Sequence, residues 1–168
     1  MVTRTTTREA EFVAFVSSSS RYLARTAYLL TGNSDIANDM VQESLTRTYA
    51  AWRRVRPGEA RAYARRILVN LNTDRWRRRT PTATELWDFA DPGNAERTVD
   101  DRDQIARMLA SLGPQQRRVI VLRYFDDLPE AEVATCLGIS VGAVKSACSR
   151  GLASLRDDFA PAGKGDPT

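Results

Sequence analysis

Residues 128–156, LPEAEVATCLGISVGAVKSACSRGLASLR, restrict the fold more than any other stretch of this chain. Pro129 suits a helix start, where its missing N–H costs nothing, and Glu130 and Glu132 suit the positive end of the helix dipole. Val133, Ala134 and Leu137 share one face, and Gly138 follows where helices commonly end in a left-handed residue. Ser140 is a good N-cap for a second helix, in which Val144, Ala147 or Cys148, Leu152 and Leu155 recur at helical spacing. A small residue at Ala134, glycine four positions on and an apolar Val144 six beyond that allow two helices to cross steeply through a tight turn. The stretch therefore reads as a helix-turn-helix, with an ordinary αα-hairpin as the bland alternative.

The rest of the composition narrows the function classes. The chain has 168 residues, enough for one ordinary domain or two small ones, and at 42% hydrophobic it can bury a core. It contains no histidine, the commonest acid–base residue and metal ligand, which weakens any enzyme reading. The string Gly138-Ile139-Ser140-Val141-Gly142 fits the hydrolase pattern G-x-S-x-G, but no histidine exists to serve as base and the context is helix-turn-helix. Cys136 and Cys148 lack the paired spacing of a zinc site or redox motif and read as buried, reduced thiols. No metal or cofactor is expected. No apolar run approaches the ~18 residues of a membrane span and no signal-peptide core follows Arg8, so a cytoplasmic protein without membrane insertion is expected.

Charge is unevenly spread. Residues 1–79 carry 15 Lys+Arg against 7 Asp+Glu, residues 80–104 carry 2 against 7, and residues 105–168 carry 8 against 7. A basic block, an acidic connector and a near-neutral helix-turn-helix unit imply an all-α chain of two small helical domains. The expected boundaries are 1–79, a flexible acidic linker at 80–104, a second domain at 105–156, and a disordered tail at 157–168 rich in Pro, Gly and Asp.

Taken in order, Thr6 and Glu9 suggest a capping box, and an apolar helical pattern runs from Phe12 to Leu30 with Ser17 to Ser20 as an interruption. Ser34 then caps a helix of about twenty residues with Ile36, Met40, Val41, Leu45, Tyr49 and Trp52 inward. Its other face, Asp39, Gln42, Glu43 and Arg47, taken alone is a solvated surface. The turn at residues 53–58, with Arg54 and Arg56, leads into a helix at about 59–79 that buries Ala60, Tyr63 or Ala64, Ile67 and Leu71. On the remaining surface of that helix, Arg61, Arg65, Arg66, Asn70, Asn72, Asp74, Arg75, Arg77, Arg78 and Arg79 accompany Trp76. Arginines supply phosphate contacts, amides address base edges and aromatic rings stack on unpaired bases, so nucleic-acid contact is the expectation. A helix from about Thr98 carries Ile105, Met108, Leu109 and Leu112, and residues 115–125 pack Val119, Leu122 and Phe125 beneath the helix-turn-helix.

Three blocks in this order carry a family resemblance: AYLLTGNSDIANDMVQESLTRTYAAW, ARRILVNLNTDRWRR and LRYFDDLPEAEVATCLGISVGAVKSACSRGLASLR. The chain resembles an extracytoplasmic-function sigma factor of bacterial RNA polymerase, of the sigma-70 superfamily and an actinobacterial kind. The resemblance spans nearly everything from Glu9 to Arg156. It implies a non-catalytic specificity subunit that binds core polymerase and directs promoter-specific initiation. It implies that Asp39, Gln42, Glu43 and Arg47 dock on the β′ clamp helices, with the β flap as a further contact. The turn with Arg54 and Arg56 would capture a base flipped from the −10 element. Asn70 would lie near the unpaired bases, with Tyr63, Arg66, Asp74, Trp76 and Arg77 around it and Arg75, Arg78 and Arg79 on phosphates. At the −35 element the second helix of the motif would present Val141, Gly142, Lys145, Ser146 and Ser149 to bases and Arg150 to phosphate.

Three departures bear on that last assignment: many relatives carry Thr where Ala143 stands and a longer polar or basic side chain where Ala147 stands, and Pro129 replaces the usual Ser cap. The acidic linker would run through the polymerase cleft as an RNA mimic, by way of Glu85, Asp88, Asp91, Glu96 and Asp100. Expected partners are core polymerase, double-stranded and melted promoter DNA, and an anti-sigma factor. The rival readings are a stand-alone operator-binding regulator, which would not need the Asp39–Glu43 block, a poorly supported enzyme, and a sigma-like protein retained only to bind a partner.

Overall fold

A computed structural model describes residues 2–79 and 100–160, with side chains from Thr7 and from Asp101 onward in the two segments. Every regular element among the described residues is helical. The first half holds α1 (Val2–Thr31), α2 (Ser34–Ala50) and α3 (Ala60–Arg78), the last entered through a 3₁₀ turn at Pro57–Glu59. The second half holds α4 (Asp100–Ala110), α5 (Pro114–Ile120), a π-helical turn at Val121–Phe125, α6 (Glu130–Leu137) and α7 (Val141–Phe159).

Helices α1, α2 and α3 pack on one another around Leu23, Ala27, Leu30, Met40, Val41, Ala64, Leu68 and Val69, the residues that recur at helical spacing. Ser44 is fully buried on α2 and donates to the carbonyl of Ala64 at 2.7 Å, so a small polar residue brings α2 close to α3. The serine run does not interrupt α1: Ser18 and Ser20 donate back to the carbonyls of Phe15 and Val16, and Ser19 is buried and accepts from Arg61. Hydroxyls satisfied within the helix offer the backbone no alternative. The helix also begins at Val2, upstream of the suggested capping box. The N-cap of α2 is Asn33, whose Oδ1 accepts from the N–H of Ile36 at 3.0 Å; Ser34 is already helical. Tyr49 is half exposed and packs at a tilt against Phe12 beside Trp52, with ring centroids 4.8 and 5.1 Å from Phe12. On α3 the inward choice is Ala64, with Leu68 and Val69; Tyr63 faces outward.

The helix-turn-helix forms as its residues dictate. Gly138 takes φ +65° at the end of α6, Ser140 Oγ accepts from the N–H of Ala143 at 3.0 Å, and α6 and α7 meet at a bend of 103°. Val133, Val144 and Ala147 seal the corner. Gly151 lets α7 lie against α5: a Cβ there would stand 3.2 Å from Ile120 Cγ1. Cys136 is buried and Cys148 only half-buried, both as free thiols. Helix α4 starts at Asp100 and α7 continues to Phe159, so residues 100–104 are helical rather than linker and residues 157–159 are helical rather than tail. The rest of the expected linker, with Glu85, Asp88, Asp91 and Glu96, and the expected tail from 161 lie outside the described residues. Among the described residues no single helix is long and apolar enough to cross a membrane.

The two halves are in direct contact. Helix α1 packs on α4 and on the π-helical turn, and α3 packs on α6. Much of that seam is polar. Thr26 Oγ1 donates to Asp126 Oδ1 at 2.7 Å, Arg25 donates to the carbonyl of Phe125 at 2.6 Å, and Tyr28 donates to Asp103. Arg117 Nε donates to the carbonyl of Leu29 at 2.7 Å, and Arg118 Nε to Asn72 Oδ1 at 3.0 Å.

Candidate nucleic-acid interface

Helix α3 sorts its residues by face. At 100° per residue, Tyr63, Arg66, Asn70, Asp74 and Arg77 fall within about 80° of one another, and all five are exposed. No described residue covers this stripe of aromatic, cationic, amide and carboxylate side chains. Arg75, Arg78 and Arg79 are exposed beside it at the C-terminal end, where cations also complement the helix dipole. Trp76 is half-buried, with the Arg79 guanidinium 5.7 Å from its ring centroid.

Two members of the expected α3 surface are not on it. Arg65 and Asn72 are buried on the opposite side, toward the second half of the chain. Arg65 donates to Tyr22 Oη at 3.1 Å and lies 3.8 Å from Glu132 of α6, while Asn72 accepts from Arg118. Arg61, although exposed, is tied down: it donates to the carbonyl of Ser18 at 3.0 Å and rests over the Tyr22 ring. Burial, then Asp126, pushes the Tyr22 phenol up to about 12, so it stays a neutral partner for Arg65.

The polar face of α2 is also open. Asp39, Gln42, Glu43 and Arg47 are exposed at i, i+3, i+4 and i+8, and Arg47 Nε donates to Glu43 Oε1 at 2.6 Å. A groove of about 430 Å³ runs between this face and the end of α3, lined by Asp39, Met40, Glu43 and Arg47 on one side and Leu71, Asp74, Arg75, Arg78 and Arg79 on the other. The face expected to bind protein and the end expected to bind DNA thus form the two walls of one groove.

Arg54 and Arg56 are exposed in the turn before α3, and Arg56 lies 3.9 Å from Glu59. Between this turn and α1 opens a second groove, about 940 Å³, with Phe15 and Trp52 as its aromatic wall and Arg8, Glu11 and Arg53 at its rim.

On α7, Val141, Gly142, Lys145, Ser146, Ser149 and Arg150 all face outward, while Val144 and Ala147 turn into the core. Ala147 therefore occupies a packing position, where a long polar side chain would not fit without displacing its neighbours. Lys145 is not a free cation: its Nζ lies 3.8 Å from Glu130 Oε2 on α6. Among the described residues no three His, Cys, Asp or Glu side chains stand together as a metal site would require.

The residues that sequence reasoning missed are those of the seam. Asp126 is presented by the π-helical turn and is followed by Asp127 at φ +55°, a left-handed conformation uncommon outside glycine. Burial raises its carboxyl above the usual range, against the lowering contacts from Thr26, Tyr22, Arg25 and Arg65. Burial likewise lowers Arg117, to about 10, and, with repulsion from Arg77, Arg118. The one signal available was two adjacent arginines set directly before the apolar run Val119 to Leu122.

Comparison with known proteins gives a consistent result. Residues 15–82 match the family model for Sigma-70 region 2, and residues 102–155 that for Sigma-70, region 4. The chain is 35% identical over 152 residues to an RNA polymerase sigma-E factor of Streptomyces coelicolor, covering 89% of this chain and 86% of that one. It is 30% identical to the ECF RNA polymerase sigma factor SigW of Bacillus subtilis, with 77% and 78% covered. Among solved structures, CnrH in complex with the cytosolic domain of CnrY superposes with a TM-score of 0.67 at 25% identity, covering 88% of this chain and 86% of that one. The sigma factor RpoE of Bartonella quintana, solved with the anti-sigma factor NepR, gives the same TM-score at 20% identity, covering 89% and 98%, and so attests the fold.

Proposed function

Because the chain belongs to the extracytoplasmic-function sigma factors of bacterial RNA polymerase, within the sigma-70 superfamily and akin to those of actinobacteria, we propose that it reads a promoter in two places with two separate helices. As a sigma factor it directs transcription initiation by RNA polymerase. Helix α3 acts at the −10 element and the N-terminal part of α7 at the −35 element. The observation that carries this reading is the exposed stripe on α3, which begins at Tyr63 and holds Asn70 between Arg66 and Arg77 on a face the other described residues leave open.

The mechanism needs no covalent step and no cofactor. Opening a base step costs a few kcal/mol, and a protein offsets this by binding the extruded or unpaired base more tightly than the paired one. The turn with Arg54 and Arg56 caps the N-terminal end of the stripe and borders the groove walled by Phe15 and Trp52, suited to an apolar ring with a charged rim. Asn70 addresses an unpaired base edge; Arg66 and Arg77 flank it, and Arg75, Arg78 and Arg79 hold phosphates. Asp39, Gln42, Glu43 and Arg47 bind core polymerase, and the groove they share with the end of α3 couples docking to DNA contact. Val141, Gly142, Ser146 and Ser149 enter the major groove, Arg150 meets phosphate, and Lys145 must release Glu130 to reach a base.

The protein works in the cytoplasm beside its polymerase. CnrH, the solved neighbour at 25% identity, is held by the cytosolic domain of another protein, and an anti-sigma factor is the corresponding partner here. The role of the stripe is tested by Asn70→Ala. Core-polymerase binding should stay within about twofold, while promoter opening, followed by permanganate reactivity of unpaired thymines, should fall at least tenfold. Equal loss of both would refute the role.

A further inference from the structure

We propose that Glu130 sets the specificity of the −35 reader by holding Lys145 back from phosphates, so that only a base edge repays its release. This deepens the two-site reading above and rests on it. Glu130 is the first residue of α6, and its Oε2 lies 3.8 Å from Lys145 Nζ on α7. The lysine side chain is 64% exposed and the glutamate 35%, so the pair is weak enough to part when DNA binds. Lys145 is also the only lysine among the described residues, whose other side-chain cations are arginines. A lysine is a point charge on a flexible stem and settles on any acceptor within reach. Left loose at the start of α7, it would strengthen binding to every DNA sequence alike.

The pair joins the two helices of the motif, and their division of labour gives it a direction. In a helix-turn-helix the first helix crosses the phosphate backbone while the second enters the major groove. Glu130 therefore stands on the backbone side, where its carboxylate competes with phosphates for Lys145 and repels them. A guanine edge, with O6 and N7 both accepting, offers the ammonium two acceptors inside the groove and away from that carboxylate. Discrimination then comes from a penalty on the wrong contact as well as from attraction to the right one. Helix stability does not single out Glu130 for this place, because Glu132 complements the dipole in the same first turn. Glu130 acts through Lys145 and is a positioning residue.

The test uses the full-length chain in holoenzyme with core polymerase, as wild type, Glu130→Gln, Lys145→Ala and the double variant. The probes are a promoter fragment recovered by run-off transcription and the same fragment with its −35 sequence scrambled. For Glu130→Gln the ratio of the two affinities should fall about threefold to fivefold, through tighter binding of the scrambled fragment. The slope of log K against log salt on that fragment should steepen by about 1, as one more phosphate contact forms. With Lys145→Ala already in place, Glu130→Gln should leave the ratio unchanged, because the carboxylate then has no lysine to restrain. An unchanged ratio for Glu130→Gln alone, or an equal fall in the Lys145→Ala background, would overturn the role of Glu130 while the two-site reading stands. A wild-type holoenzyme that does not distinguish the fragments, or a Lys145→Ala ratio equal to wild type, would overturn the placement of α7 and the proposal with it. Wild-type helical circular dichroism in each variant ties the ratios to the pair rather than to the fold.

Discussion

Gly138 stands in the left-handed region at φ +65°, and beyond its own backbone neighbours no described atom lies within 4 Å of the position a Cβ would take. The cost of a side chain there is therefore backbone strain alone. Gly138→Ala should lower stability by about 1–2 kcal/mol in urea denaturation, and Gly138→Asn by less, because Asn tolerates this conformation. Equal losses would mean that space rather than φ dictates the glycine. Arg117 poses the opposite case, a long charged side chain almost fully buried and bonded to the carbonyl of Leu29. Arg117→Ala would leave that carbonyl unpaired and open a void, so a loss of about 2–4 kcal/mol is expected in the same assay. Such residues also show what could be read in advance. The glycine announces itself because its conformation is local. The partner of Arg118 lies 46 residues away and that of Thr26 lies 100 away, and no periodicity reports such pairs.

At the scale of the element, α7 depends on its first turn. Ser140 Oγ satisfies the N–H of Ala143 where the helix presents Val141, Gly142 and Lys145. Ser140→Ala should cost about 1 kcal/mol and fray that turn, weakening promoter binding by the holoenzyme while core binding is retained. Undiminished DNA affinity would place the readers elsewhere on α7. Helix α3 makes a different demand. If Arg77 and Arg78 touch phosphates, replacing both by Ala should reduce the slope of log K against log salt for promoter binding by about 2, and an unchanged slope would remove them from the DNA path. The helices were legible from 3.6-residue spacing and strong caps. Their faces were legible less evenly, because a residue such as Asn72 looks the same in sequence whether it meets solvent or a second domain. The move of the α2 cap from Ser34 to Asn33 is a one-residue error between two equally good capping side chains.

For the whole molecule, ordered blocks along the chain revealed the two-part organisation, and a continuous buried apolar cluster flanked by polar contacts joins those parts. Charge sums separated the halves without indicating that they touch, since net charge reports on partners and solubility rather than on packing. The α3 stripe and the outward residues at the start of α7 are both exposed although the two halves are in contact. The central claim is that this chain makes core polymerase promoter-specific through α3 and α7. It is tested most directly by run-off transcription from a genomic promoter pool, using core polymerase with and without the purified chain. Transcripts are expected only with the chain, from starts that share one sequence near −35 and another near −10. A chain that binds no core polymerase, or transcripts with no shared upstream sequence, would contradict it.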